Sequence, residues 1–577
     1  SEWSSQPRPE APGTESIRLF VVRRLPPTRG MSHSRQRPAD RKATETDPLW
    51  KEAAKTDGDW SFGNPVSFVR ELNEHFGMKI LVLLFVVQHL LKGFSIGLWG
   101  AASTYLYKSY SVPAPTMQIY SSVAATPWAM KPVIGLVSDV CPIWGYRKAP
   151  YFLLTTIFAI AGFSIIGFVP QTHLAVSGVV VCMYVLNLQN STCDLLSEAK
   201  YAEKIQANPK YGPDLMTYVW FGLTAATLCA SMISGSMIAT FGPKMVFLVC
   251  MVPASAVLIP VLLGYLEERP MSDADLQGVR DRFAKQKEAC ALCIMMLVGT
   301  LALSVCGIAY KSPGVNATLA ICIAAILLVG FSLVLSPSIA KFNAYSMLQG
   351  SLSLSTSGAT FYFYTDSAEQ YPEGPHFTPF FYNSVIGVTG TLCSLLGIFC
   401  YSRYMSNWNY RHIFIVSNVI FSVLSAFDVL LFTRMNVRLG IPDHVFVLSS
   451  SVLEEVVNMW MWMPQVVIMS YLCPKGMEAT MYALLAGCSN LGSNISANVG
   501  ALLLQRLDVM PSGAIGESKQ FENLWLASAI STALPATTVV LIFWLVPDAK
   551  QGEEVIGADV DVDATTGSLW RRCMDSV

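Results

Sequence analysis

Lys131 stands inside residues 121–139, "SSVAATPWAMKPVIGLVSD", a stretch that is otherwise apolar or small. An ammonium there lies roughly 10 Å of helical rise from the polar end at Ser138. A charge at such depth in a membrane costs about 2.5–3.5 kcal/mol on insertion scales, so it must face water, a partner or a ligand. Other groups of this kind recur along the chain. Gln88 and Lys92 are one turn apart in "QHLLK", and Asn190 and Asp194 share a helical face. Glu454 and Glu455 are followed by Asn458, with Glu455 and Asn458 one turn apart and Glu454 on another face. Asn490, Asn494 and Asn498 recur among serines at every fourth position. The lysines suit an anion, and the acids can trade protons or hold a cation. The asparagines can join helices, at about 0.6–2 kcal/mol each, or read the edge of a heterocycle. Trp128 and Trp462 sit far enough inside their segments to stack on a flat ring, whereas Trp220 and Trp460 also fit an interface belt. The purely structural alternative is that Lys131 pairs with Asp194 and fixes packing.

The segments that must position these groups are membrane helices. Hydrophobic residues make up 52% of the 577 and charged ones only 14%, against roughly a quarter charged in a soluble chain. The net charge of -1 gives no signal for nucleic acid. The 14 cysteines fall mostly in apolar runs. Cys290 and Cys293 form a CxxC without a second pair, so neither a metal nor a cofactor is expected. About fourteen segments reach the roughly 20 apolar residues that a span needs. They are 79–106, 116–138, 150–169, 174–195, 216–240, 244–265, 289–310, 315–336, 340–364, 378–402, 411–433, 444–471, 478–505 and 521–546. Residues 1–30, ahead of Met31, are read as upstream sequence or a disordered tail, and 1–60 together as a cytosolic arm. "LFVV" at 19–22 is too short for a signal core, so the first span serves as the insertion signal. With the N-terminus inside, the inner loops hold fourteen Lys and Arg against seven outside, which predicts both termini in the cytosol.

Between the second and third spans, "GLVSDVCPIWGYRKAPY" places Gly135 and Asp139 one helical turn apart, followed by Gly145, Arg147 and Lys148. This resembles the signature loop of the major facilitator superfamily, in which such groups would latch one bundle in a single conformation. Positive-inside topology alone would also put basic residues there. Within that superfamily, "PWAMKPVIGLVSD" with "GYRKAPY", "HLLKGF" (89–94), "FYFYTD" (361–366), Pro464 and above all "LCPKGMEATMYALLAGCSNLG" (472–492) are similar to the folate–biopterin transporter family. The likeness runs from about residue 60 to 546 and is strongest to trypanosomatid members. It implies two six-helix bundles with a substrate site between them, and transport of folates or pterins together with protons. Two features depart from the family pattern. The pair 289–310 and 315–336 is extra to a twelve-span core. Asn190 stands where many members carry an acid, while Asp194 and Glu198 remain, which puts proton coupling at 190 in question.

The expected organisation is therefore an all-α polytopic membrane protein. It has an N-terminal six-helix bundle over 61–265, a charged cytosolic loop over 266–288 and two inserted helices over 289–336. A C-terminal bundle over 337–546 and a cytosolic tail over 547–577 complete it. The candidate substrate or coupling residues are Gln88, Lys92, Trp128, Lys131, Asn190, Asp194, Glu455, Asn458, Asn490 and Asn494. Gly135, Asp139, Gly145, Arg147 and Lys148 form the gating loop, and Glu478 is read as a helix-start acid or a latch. Folate carries two carboxylates on its glutamate tail, which suits Lys131. A cationic metabolite such as S-adenosylmethionine would instead prefer Asp194 and Glu455. No Walker loop or HExxH is present, so no enzyme is expected. A non-transporting sensor or receptor is the remaining alternative. The expected setting is the plasma membrane, with the bilayer, the substrate and protons as partners.

Overall fold

The computed structural model describes residues 65–285, 287–473, 478–551, 553 and 564–575. The expected arm at 1–60, residues 474–477 of the family-like 472–492 stretch, and residues 554–563 and 576–577 of the tail lie outside the described residues. Apart from isolated bridges, the described chain is helical. Backbone polar groups in hydrocarbon must be satisfied within their own segment, and a helix does this.

After α1 (Pro65–Phe76), the first half comprises α2 (Met78–Ser109), α3 (Ala114–Ala129), α4 (Lys131–Val140), α5 (Ala149–Phe168), α6 (Val176–Ala207), α7 (Gly212–Phe241) and α8 (Pro243–Leu262). A short α9 (Asp273–Lys285) leads to the helical hairpin α10 (Lys287–Ala309) and α11 (Pro313–Val334). The second half comprises α12 (Pro337–Leu352), α13 (Ser357–Thr365), α14 (Phe380–Met405), α15 (Tyr410–Phe432), α16 (Asp443–Tyr471), α17 (Glu478–Arg506) and α18 (Leu524–Leu545), followed by α19 (Leu569–Asp575). Each expected span coincides with helix. Ten helices among the described residues are individually long and apolar enough to cross a membrane. The remaining four segments are the broken pairs α3–α4 and α12–α13, and the polar-rich α16 and α17.

The breaks have local causes. Pro132 has no N–H to donate, Pro127 lies one turn before Met130, and Met130 N–H bonds back to Pro127 O at 3.2 Å. The helix therefore restarts at Lys131. Between α12 and α13 the freed carbonyls find side chains from neighbouring helices. Gln118 Nε2 donates to Ser355 O at 2.9 Å, and the hydroxyls of Ser496 and Ser531 donate to Ser353 O and Leu354 O. In the equivalent first helix, residues 85–95 of α2 wind as a π-helix. Such segments often mark functional sites.

Packing repeats between the halves. The contacts α3 with α6, α5 with α6 and α5 with α8 have counterparts in α14 with α16, α15 with α16 and α15 with α18. The halves meet along two seams, α3 against α17 and α7 against the start of α14. The hairpin α10–α11 covers the first seam, α10 lying on α3 and α11 on α17. At the end carrying residues 365–377 the halves are sealed. Lys108 Nζ reaches Asp366 at 2.6 Å, Tyr362 Oη donates to Val112 O at 2.7 Å, and Gly235 N–H donates to Ser384 Oγ at 3.1 Å. Gly235 permits this approach, because a Cβ there would strike Pro379 O. At the opposite end the ion pairs Lys148–Glu203, Lys204–Glu267 and Arg411–Asp548 each stay within one half.

Candidate transport site

Lys131 is not alone. The break at Met130 puts it at the start of α4, where Nζ lies 2.6 Å from Asp194 Oδ2 and 3.6 Å from Glu198 Oε2. From α2, Lys92 Nζ meets the other oxygen of Asp194 at 2.7 Å. Gln88 Nε2 donates to that same oxygen at 3.0 Å and to Ser197 Oγ at 2.8 Å. Gln88 and Lys92, one turn apart in the π-helical stretch, approach the same oxygen of Asp194 together. Asp194 is 1% exposed. Two cations and two carboxylates thus form a neutral cluster, which is how buried charges are tolerated. Each ammonium also lies over an indole: Lys92 is 5.7 Å from the ring centre of Trp220, and Lys131 is 5.1 Å from that of Trp128.

The asparagines knit the helices together. Trp128 Nε1 donates to Asn187 Oδ1 at 2.9 Å, and Asn490 Nδ2 donates to Trp128 O at 3.3 Å across the seam. Asn498 Nδ2 reaches Ser122 Oγ at 3.1 Å, and Ser122 Oγ donates to Asn494 O at 3.3 Å. Asn190 donates to Leu186 O at 2.8 Å, while its Oδ1 and the Nδ2 of Asn494 are buried without a hydrogen-bond partner among the described residues. Asn458 is half-buried on α16.

A cavity of about 580 Å³ lies between the halves, walled by α7 on one side and α14 and α16 on the other. Ser231 and Gly387 close it toward the sealed end, and Trp220 and Trp462, edge to face at 6.1 Å, bound it toward the other. Thr224, Thr227, Thr391 and Ser394 supply hydroxyls, and Glu455 is the one charged side chain in the lining among the described residues. Glu455 Oε2 accepts from Ser394 at 3.3 Å, in space left by Gly390. Trp220 and Leu223 also line a crevice that holds Gln88, Lys92 and Glu198, so the charged cluster adjoins the cavity. Of the sequence candidates, Glu455 therefore faces the cavity and Gln88 and Lys92 border it. Lys131, Asp194, Trp128 and Asn490 form the adjoining network.

In the loop, Gly145 takes φ 81° and turns the chain, so that the N–H groups of Arg147, Lys148 and Ala149 converge on Glu268 at 2.8–3.2 Å. Arg147 Nη1 lies 3.7 Å from Asp139, and Lys148 Nζ lies 2.5 Å from Glu203. Gly135 faces Leu195, where a Cβ would touch at 3.4 Å. The loop residues are thus held to α6 and to the segment following α8. The Glu268 anchor and Asp428, an acid inside the apolar run 411–433, are not among the sequence candidates. Asp428 carries the same signal as Lys131, a charge within an apolar run.

Two pseudo-equivalent helical halves around a central cavity define a fold of the major facilitator type. Solved structures share this fold. A peptide transporter of the POT type in complex with sulfate aligns with a TM-score of 0.56 and 13% identity, over 83% of this chain and 97% of that one. A D-xylose–proton symporter aligns at 0.51 and 12%, over 83% and 98%. The chain belongs to the BT1 family, whose model matches residues 92–564. Relatives include the probable folate-biopterin transporter 6 of Arabidopsis thaliana, 25% identical over 86% of this chain and 88% of that protein. The folate-biopterin transporter of Synechocystis is 26% identical over 75% and 76%, and folate transporter 1 of Plasmodium falciparum is 21% identical over 76% and 74%. The protein is a transporter and not an enzyme.

Proposed function

We propose that the protein carries folates and pterins by alternating access of the cavity between its halves, with uptake coupled to protons. The observation that carries this reading is the cavity itself, in which a carboxylate and two indoles lie within hydroxyl-bearing walls contributed by both halves. Its volume falls in the roughly 300–1,000 Å³ range of sites that enclose small organic ligands. A carboxylate can accept two parallel N–H donors, and a pterin offers such a pair along its aminopyrimidinone edge. Glu455 is placed for that edge, with Trp220 or Trp462 against the ring. Lys92, bordering the cavity beside Trp220, is the cation nearest to hand for the carboxylates of a folate tail, and Lys131 stands behind it through their shared partner Asp194. We place the protein in the plasma membrane with both termini cytosolic, so that the sealed end faces outward.

A second reading has its own support. Because the one charge lining the cavity is negative, a cationic metabolite such as S-adenosylmethionine also fits. Uptake of labelled folate, biopterin and S-adenosylmethionine by cells lacking their own carriers separates the two. Accumulation of either pterin compound is expected, and accumulation of the sulfonium alone would replace the folate reading.

A further inference from the structure

We infer that Gln118 of α3 is the opening catch of the sealed end, a side chain of the first half that caps helix α13 of the second. Gln118 is 2% exposed and faces the seam between α3 and α17. Its Nε2 donates to Ser355 O at 2.9 Å and to Ala497 O at 3.2 Å, and its Oε1 accepts from Gly358 N–H at 3.1 Å. All three partners are main-chain groups of the other half.

Two of those groups are left without a helical partner by the break between α12 and α13. Gly358 is the second residue of α13, and the first N–H groups of a helix have no carbonyl of their own helix to bond. Thr356 stands at the N-cap, but its side chain makes no capping bond. Ser355 O belongs to the interruption itself. Backbone groups away from water must be paired, and the carboxamide pairs one donor and one acceptor at once. Gly358 permits the close approach that this needs, because a Cβ there would strike Ala114 O and crowd Gln118. Helix α13 in turn carries the seal: Tyr362 reaches Val112 O, and the chain runs on into Asp366, the partner of Lys108.

The catch rests on the alternating-access reading for its role but not for its bonds. When the halves part at this end, Gln118 withdraws from all three groups together and water takes its place on them. A hydrogen bond exchanged for water costs little on balance, whereas a buried group left unpaired bears its full desolvation. The catch therefore holds the sealed state without trapping it. It also fixes a direction. Removing the carboxamide penalises the sealed state, where Ser355 O and Gly358 N–H lie inside the seam, and spares the open one, where they are wet. Ser122, one turn further along α3, is the contrasting case. Its hydroxyl crosses the same seam to Asn494 O, but that carbonyl also accepts from Asn498 Nδ2 at 2.7 Å, a bond that remains when the hydroxyl is lost.

The test uses the full-length protein in lipid nanodiscs, with spin-label pairs across α7 and α14 at the sealed end. Gln118→Met, close in shape but without the amide, is expected to raise the open population about tenfold over wild type, and Ser122→Ala less than about twofold. Unchanged distances in Gln118→Met, or an equal opening in Ser122→Ala, would overturn the catch. Residue-resolved hydrogen exchange gives a second measure that needs no variant to fold. In the wild type the Gly358 amide is expected to exchange as slowly as amides in the middle of α13, and in Gln118→Met about tenfold faster. A wild-type Gly358 amide that exchanges like an unpaired first-turn N–H would show that Gln118 does not cap α13 and would sink the proposal. Wild-type distances that never change, with or without biopterin, would count against alternating access instead, and the exchange at Gly358 would still judge the bonds.

Discussion

Asp194 answers the question that Lys131 poses. A buried carboxylate with an ammonium on each oxygen is stable as a set, and removing one member leaves the others uncompensated. Breaking such a pair typically costs about 3–5 kcal/mol, so Asp194→Asn should lower the melting temperature and surface expression sharply. Lys131→Gln should do so as well, and the two together should recover much of the loss. Additive losses in the double variant would show that the pair is not a unit. Glu455 is a different case, because it faces open space and its only hydrogen bond among the described residues is from Ser394. Glu455→Gln should fold normally yet bind folate and biopterin alike about tenfold to a hundredfold more weakly, the worth of charge-assisted bonds at about 1.5–3 kcal/mol. Equilibrium binding to the purified protein measures this, and a loss confined to folate would instead implicate the tail.

At the scale of elements, the irregular helices matter most. Gly500 of α17 is pressed against the opened backbone between α12 and α13, where a Cβ would collide with Ser355 O. Gly500→Ala must displace that backbone, so it should destabilise the protein measurably in thermal melting, whereas Gly100→Ala, which meets nothing, should not. The apolar runs were legible from the sequence in number and place, because twenty apolar residues admit few other structures. The interruptions were less so: Pro132 signalled the break at Met130, but nothing in "SLSLSTS" announces that a glutamine and two serines from three other helices will take over its hydrogen bonds. The π-helical winding of α2 was equally silent. For the site, the sequence supplied the right buried charges without their partners. Lys92 meets Asp194 across 102 residues, a pairing that only the packing of α2 on α6 creates. Glu455 was legible as an acid in a span, whereas Asp428 shows how readily one acid in an apolar run passes unnoticed.

For the whole molecule, the sealed end predicts a pH response. Asp366, in the loop beyond α13, is fully buried. Burial raises its pKa above the ordinary carboxylate range despite the pull of Lys108. When the seal opens, Asp366 meets water and its pKa falls back, so the sealed state binds the proton more tightly. Acidification through the interval between the two values therefore favours the seal, and rising pH weakens it. Spin-label distances across α7 and α14 should report a growing sealed population as pH falls, and Asp366→Asn should stay sealed at every pH. An Asn variant that still responds would place the titrating group elsewhere. The hairpin α10–α11 has a consequence of its own. It lies over the α3–α17 seam on the face turned to the lipid, while the α7–α14 seam carries no such cover from it. Compounds dissolved in the bilayer thus find one flank of the carrier shielded, and a lipophilic inhibitor that enters sideways must come past α7 and α14.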